Sequence, residues 1–194
     1  VGRWRIQDFV SFLRISGIQY VGWTFGFKWT GWRSTVIWNE KKVGFKPTWI
    51  VIHHSWTKDG SVKDWDAIKR YHIETNGWND IGYQIGIEKV GDKYEVLPGR
   101  EIGEVGAHAK GFNAKSIGIC LVGNFDSAPP SDEQLYLLAS VCRELQRKYK
   151  IFRDQVIGHR ETYILLNEPV QKSCPGKMFD LDKFRARLLD VNEL

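Results

Sequence analysis

A chain of 194 residues, 42% hydrophobic and 26% charged, has the composition of a globular protein with one domain of ordinary size and room for a small appendage. No apolar run approaches the roughly 20 residues a membrane helix needs, so no transmembrane segment is expected. The net charge of +5 is unevenly spread: eight Lys and Arg against Asp8 and Glu40 leave +6 on residues 1–46 and −1 on the remainder. Three cysteines exclude a dense disulfide framework, so a reducing compartment is acceptable. The opening V-G-R-W-R-I-Q-D-F-V carries neither the apolar core nor the cleavage site of a secretory signal, so synthesis in the cytoplasm without a signal peptide is expected.

Residues 1–46 hold five of the nine tryptophans, at 4, 23, 29, 32 and 38. A short helix is predicted over Ile6–Leu13, and a strand-like texture of Gly and aromatic residues over Val21–Trp38. This stretch reads either as a small attached module or as a piece that packs on the main domain. Lys46-Pro47 marks the junction, and residues 47–194 form the second unit. The apolar run W-I-V-I from Trp49 suits a buried strand ending at His53. Ser61 with Asp64 reads as a capping box for a helix that places Trp65, Ile68 and His72 on one face and stops at Gly77. A strand over Ile81–Glu88 turns at Gly91-Asp92 into a partner over Tyr94–Leu97, and Ser116–Gly123 reads as a central strand. Ser131 with Gln134 is a second capping box, followed by the stripe Leu135, Leu138, Cys142, Leu145 and Tyr149. Gln155–Gly158 is a short strand leading into His159, and Asp180 caps a last helix with Leu181, Phe184 and Leu188 inward. Strands alternating with helices point to an α/β fold: a central mixed β-sheet flanked by helices.

Three residues carry candidate chemistry. His53, His159 and Cys174 each lie at the end of an element or in a loop, and imidazole nitrogen with thiolate sulfur is a zinc ligand set. Cys174 sits in a polar loop beside Pro and Gly, whereas Cys120 and Cys142 read as small core residues. The spacing matches no short zinc motif, neither HExxH nor a CxxC pair, so on residues alone each His also reads as a buried structural histidine.

Six motifs stand in order along the chain: I-H-H-S at 52–55, G-W-N-D-I-G-Y at 77–83, G-A-H-A-K-G-F-N at 106–113, S-I-G-I-C-L-V-G at 116–123, G-H-R at 158–160 and K-S-C-P at 172–175. On these residues the chain, from about Trp49 to Leu189, resembles the zinc-dependent N-acetylmuramoyl-L-alanine amidases of the type 2 family, which includes phage lysozymes and the animal peptidoglycan recognition proteins. The resemblance implies that His53, His159 and Cys174 hold Zn2+ and that Tyr83 and Lys172 occupy the catalytic polar positions. On residues alone, Tyr83 also reads as a strand tyrosine and Lys172 as a solvated loop lysine. His54, on the other side of the strand from His53, and His108, in a Gly-rich loop, are candidate substrate contacts; a core or second-layer role for His54 stays open. His72 reads as structural. Residues 56–80 lack the cysteine of the animal recognition proteins' disulfide, which favours the phage or bacterial branch. The segment Glu161–Gln171, carrying Y-I-L-L, is longer than the family's loop and is expected as a lid or groove wall.

The function expected is zinc-dependent hydrolysis of the amide between N-acetylmuramic acid and L-alanine in peptidoglycan, by a monomeric phage or prophage endolysin acting on the bacterial cell wall. A non-catalytic peptidoglycan-binding module is the alternative, and Cys174 argues against it by completing a ligand set. Residues 1–46 are expected to meet anionic envelope polymers. A nucleic-acid partner is not expected, because the basic charge is confined to one segment and no recognition motif accompanies it.

Overall fold

The computed structural model describes residues 45–57 and 64–194. The helix predicted over Ile6–Leu13, the aromatic stretch to Trp38 and the cap at Ser61 lie outside the described residues. Five strands form one sheet: β1 (Trp49–His54), β2 (Ile85–Val90), β3 (Lys93–Pro98), β4 (Ser116–Leu121) and β5 (Val156–Gly158), in the order β3-β2-β4-β1-β5. Only the β2–β3 hairpin is antiparallel, so the sheet is mixed as expected. β4 is central, and all six of its residues are buried. β1 is buried from Ile50 to His54 without alternation, because both of its faces are covered.

Register decides what shares a face. His53 pairs with Cys120, and Cys120 with Gly86, so these three lie side by side on one face. On that side Val51, Ala109, Phe112 and Ile157 form one apolar cluster, and Trp65, Ile81, Cys120 and Val122 form another. His53 shares a strand with Val51 and a register level with Cys120, so it emerges where the two clusters meet. Gly86 leaves the room the Trp65 indole fills: a Cβ there would lie 2.7 Å from the ring. The alternate positions Ile50, Ile52, Ile85, Ile87, Ile117, Ile119 and Leu121 are fully buried, each worth about 1.5–3 kcal/mol over an exposed side chain.

Among the described residues four α-helices flank the sheet: α1 (Trp65–Arg70), α2 (Asp132–Tyr149), α3 (His159–Leu165) and α4 (Leu181–Arg185). Asp64 is the N-cap of α1, accepting from the Ala67 N–H at 2.7 Å. α1 runs into a π-helical turn over Tyr71–Thr75, and Gly77 follows with φ +69°, where the left-handed region favours glycine. α2 packs along β2 and β3, and its expected stripe is buried except at half-buried Leu135. Asp180 caps α4, with Leu181, Phe184 and Leu188 inward as expected.

Three details differ from the sequence expectation. Residues 81–84 fall outside β2: Gln84 still donates its N–H to Gly118 O of β4, but the backbone carbonyls of 81–83 bond elsewhere. The Arg100 guanidinium donates to Ile81 O and Asp80 O, the Ala107 N–H to Gly82 O and the Arg100 N–H to Tyr83 O. Only half of the box at the start of α2 forms. Ser131 Oγ accepts from the Gln134 N–H, but the Gln134 side chain turns to the sheet and donates to Val122 O at 3.1 Å. The segment from Glu161 is helical through Leu165, so the predicted long loop is confined to residues 166–171.

Candidate metal centre

Three backbone segments converge. His53 is the penultimate residue of β1, which is held on both sides by β4 and β5. His159 opens α3 directly after β5. That turn is fixed by Glu161, whose carboxylate accepts the Gly158 N–H at 2.8 Å and a two-pronged ion pair from Arg185 at 2.9 and 3.0 Å. Cys174 rides on a loop clamped from two directions. The Arg160 N–H donates to Cys174 O at 2.7 Å, and its guanidinium donates to Ser173 O, Gly176 O and Phe179 O. Asp126 accepts from Ser173 Oγ at 2.7 Å and from the Lys177 N–H at 2.8 Å.

The donor atoms of His53, His159 and Cys174 lie within 4.8 Å of one another; His53 and Cys174 are buried and His159 is nearly so. Among the described residues no other His, Cys, Asp or Glu trio meets that spacing. His53 Nδ1 stands 3.7 Å from Cys174 Sγ. Tetrahedral zinc bonds near 2.05 Å to nitrogen and 2.3 Å to sulfur require about 3.6 Å between such donors, so this pair fits with little movement. The His54 N–H points at the same sulfur at 3.5 Å, a donor suited to thiolate.

Burial sets the protonation states. Burial first, then the charge of His159, holds His53 well below the usual imidazole range. Burial, then Lys172 and His54, brings His159 to about 4. Burial, then His159, brings His108 to about 3. All three rings are therefore neutral at pH 7, the form that donates a lone pair to a metal. Burial pushes the Cys174 thiol up to about 12, opposed by the His54 N–H, Lys172 and Arg160.

The other predicted residues surround this trio. His53 Nε2 lies 3.0 Å from His108 Nδ1. The His108 ring is buried with Nε2 unpartnered, and its backbone is held by Asn113 Oδ1, which accepts the His108 and Ala109 N–H groups. Tyr83 sits with its ring centroid 5.1 Å from that of His53. Burial, then Cys120 and Cys174, keeps its phenol protonated far above neutral pH, so it remains a donor. Lys172 is exposed, and its positive charge bears on His159, His53 and Cys174. His54 does not join the trio. Its ring is buried, and Nδ1 accepts the Phe125 N–H at 3.2 Å. The substrate contact expected of His54 thus meets a side chain already engaged with backbone. His72 is structural as expected: its Nδ1 accepts the Gly82 N–H, and its ring lies against Trp78.

The family model described as N-acetylmuramoyl-L-alanine amidase (Amidase_2) matches residues 43–177, spanning all three donors. The chain belongs to this amidase family. Among its relatives, the endolysin of Enterobacteria phage T3 is 38% identical over 152 residues, which cover 74% of this chain and 91% of the relative. The human N-acetylmuramoyl-L-alanine amidase is 30% identical over 142 residues, and the matched part is only 23% of that longer protein. The amidase LysC from Clostridium intestinale URNW shares the fold with a TM-score of 0.61 and 31% identity, covering 74% of this chain and 85% of that one.

Within this amidase domain, sequence reasoning missed the residues that hold the ligand loop. Arg160 follows a predicted ligand directly, but its target is backbone carbonyl, which leaves no trace in residue type. Asp126 and Ser173 are 47 positions apart, and nothing local pairs them. A signal did exist at His108. Gly106 and Gly118 both sit against its ring, where a Cβ would lie 2.5 and 2.7 Å from its Cδ2.

Proposed function

We propose that this chain is a zinc-dependent amidase that hydrolyses the bond between N-acetylmuramic acid and L-alanine in peptidoglycan, working as an endolysin. The observation that carries the reading is the convergence of His53 near the end of β1, His159 at the start of α3 and Cys174 in the loop before α4, in a chain of this family. In this reading these three hold Zn2+, which when bound supplies a Lewis acid and lowers the pKa of a coordinated water toward about 7. The chain's own residues do the rest. His53 turns Nδ1 toward Cys174, so its Nε2–H donates to His108 Nδ1. That bond fixes the tautomer and ring plane of His53, the role outer partners play around metal-bound histidines. His108 therefore carries its proton on Nε2. His54 steadies the turn at Phe125 beside Asp126, and its backbone N–H supports the thiolate. Lys172 offers a cation to the oxyanion that develops on the attacked carbonyl, and Tyr83 offers a neutral hydroxyl.

Residues 1–46 act in this reading as a separate basic, Trp-rich module that concentrates the enzyme on anionic envelope polymers, its charge supplying attraction and its indoles contact. Deleting residues 1–45 is expected to spare hydrolysis of soluble muramoyl peptides while weakening envelope binding, and that binding falls as salt rises. A truncated protein that loses zinc or becomes insoluble would favour a packing role instead. The amidase reading itself is tested by treating the protein with a chelator and then restoring zinc. Loss and return of peptidoglycan hydrolysis is the expected result; activity indifferent to chelation would sink the zinc assignment.

A further inference from the structure

Among the described residues three non-glycine residues have left-handed backbone: Trp56 (φ 58°), Lys150 (φ 57°) and Asn167 (φ 55°). Two have ordinary causes. Lys150 is the C-cap of α2, and Asn167 is an Asn, which tolerates this region, just beyond α3. Trp56 has neither excuse, and for a bulky residue such a φ is strained. It also has the most exposed large apolar side chain described, at 69%.

The strain is imposed by its neighbours. Ser55 N–H donates to Leu121 O, and Ser55 Oγ accepts the Gly123 N–H at 3.0 Å. Ser55 Oγ also lies 2.7 Å from Thr57 Oγ1. These bonds pin Ser55 to the end of β4 and tie Thr57 back to Ser55 across Trp56, so the indole is left in solvent. Trp56 is three residues beyond His53, so their Cα atoms are at most about 11 Å apart. A structure that bends the backbone to expose a tryptophan beside its reaction centre is using that tryptophan.

We propose that Trp56 is a stacking platform for the glycan strand of the substrate, a subsite that rests on the amidase reading above. The bond cut in that reading joins a sugar to a peptide, so one side of the cleft must carry saccharide. A flat indole face matches the C–H face of a pyranose ring. The residues that lock Trp56, namely Ser55, Thr57 and Gly123, carry no charge, which suits a neutral sugar better than a carboxylate-bearing peptide stem. The pinned backbone presents the ring with little conformational freedom left to lose on binding.

The experiment compares the full chain with Trp56→Ala, Trp56→Phe and Trp56→Gly. Binding to peptide-free glycan strands is measured by titration. Hydrolysis is measured on strands bearing peptides and on a single muramoyl peptide. Trp56→Ala weakens strand binding about tenfold, equivalent to about 1.4 kcal/mol. It raises KM on strands by a similar factor while kcat and zinc content stay within twofold, and the single muramoyl peptide is affected less. Trp56→Phe recovers most of the affinity, and Trp56→Gly, which relieves the backbone, melts no lower than wild type. Strand binding or a strand KM unchanged in Trp56→Ala overturns the proposal, as does a wild type that does not bind strands. If wild type binds strands through Trp56 but releases no peptide from any substrate, the subsite stands and the amidase reading fails.

Discussion

Gly118→Ala probes the link between His108 and His53, one of the three proposed zinc donors. An alanine Cβ would lie 2.7 Å from His108 Cδ2 and Cγ and 2.9 Å from Nδ1. Carbon contacts settle near 3.5–4.0 Å, so the ring must retreat by roughly 0.8–1.3 Å. Gly106 backs the same ring edge, which limits where it can go. The His53–His108 bond is 3.0 Å long, and N–H···N geometry of this kind weakens beyond about 3.2 Å. Overpacking of this size costs about 1–3 kcal/mol, and losing the outer partner of a metal-bound histidine costs about 10–100-fold in metal affinity. Urea unfolding reads the first, and competition with a chromophoric chelator reads the second. His108→Ala should lower zinc affinity similarly, and adding Gly118→Ala to it should cost almost nothing more, because the ring that clashes is gone. A Gly118→Ala protein with wild-type stability and zinc affinity, or a double variant that sums the two losses, would refute the reasoning.

Other variants separate holding from chemistry. Cys174→Ser should abolish stoichiometric zinc binding and turnover, since a hydroxyl is a poor ligand; retained activity would remove Cys174 from the site. Lys172→Ala and Tyr83→Phe should each lower kcat on the order of a hundredfold with zinc still bound, so loss of zinc from Lys172→Ala with a silent Tyr83→Phe would reverse the roles. Arg160→Ala should cost about 1.5–3 kcal/mol in urea unfolding by removing the guanidinium hydrogen bonds to the carbonyls of Ser173, Gly176 and Phe179. Arg160→Lys should not rescue it, because one ammonium cannot span three carbonyls; full rescue would show that charge alone matters there.

The sheet was legible because its strands are apolar runs ending in turn residues, and the central place of Ser116–Leu121 followed from its composition. Asp180 and Ser131 were legible as caps because capping is local. Gln134 was misread in part because its amide serves Val122 O across the fold, a tertiary use that overrides the local pattern. Tyr83 looked like a strand residue because Ile81–Glu88 alternates. Its backbone is in fact committed to the 99–107 loop, which no periodicity reports. The donors His53, His159 and Cys174 were individually ambiguous and became a site through motifs in order. His54 and His108 were read by position as substrate contacts, and what the sequence did not show is that one ring meets the Phe125 backbone and the other His53. Those partners lie 71 and 55 residues away, beyond any local pattern. The αL backbone of Trp56 was invisible in sequence, since it arises from hydrogen bonds to the end of β4.

The central claim is the identity of the bond cut, and digestion of purified peptidoglycan with the zinc-loaded full chain tests it most directly. New L-alanine amino termini should appear without new reducing sugar ends, and none should form with Cys174→Ser. New reducing ends without free L-alanine amino termini would make the enzyme a glycosidase and contradict the account.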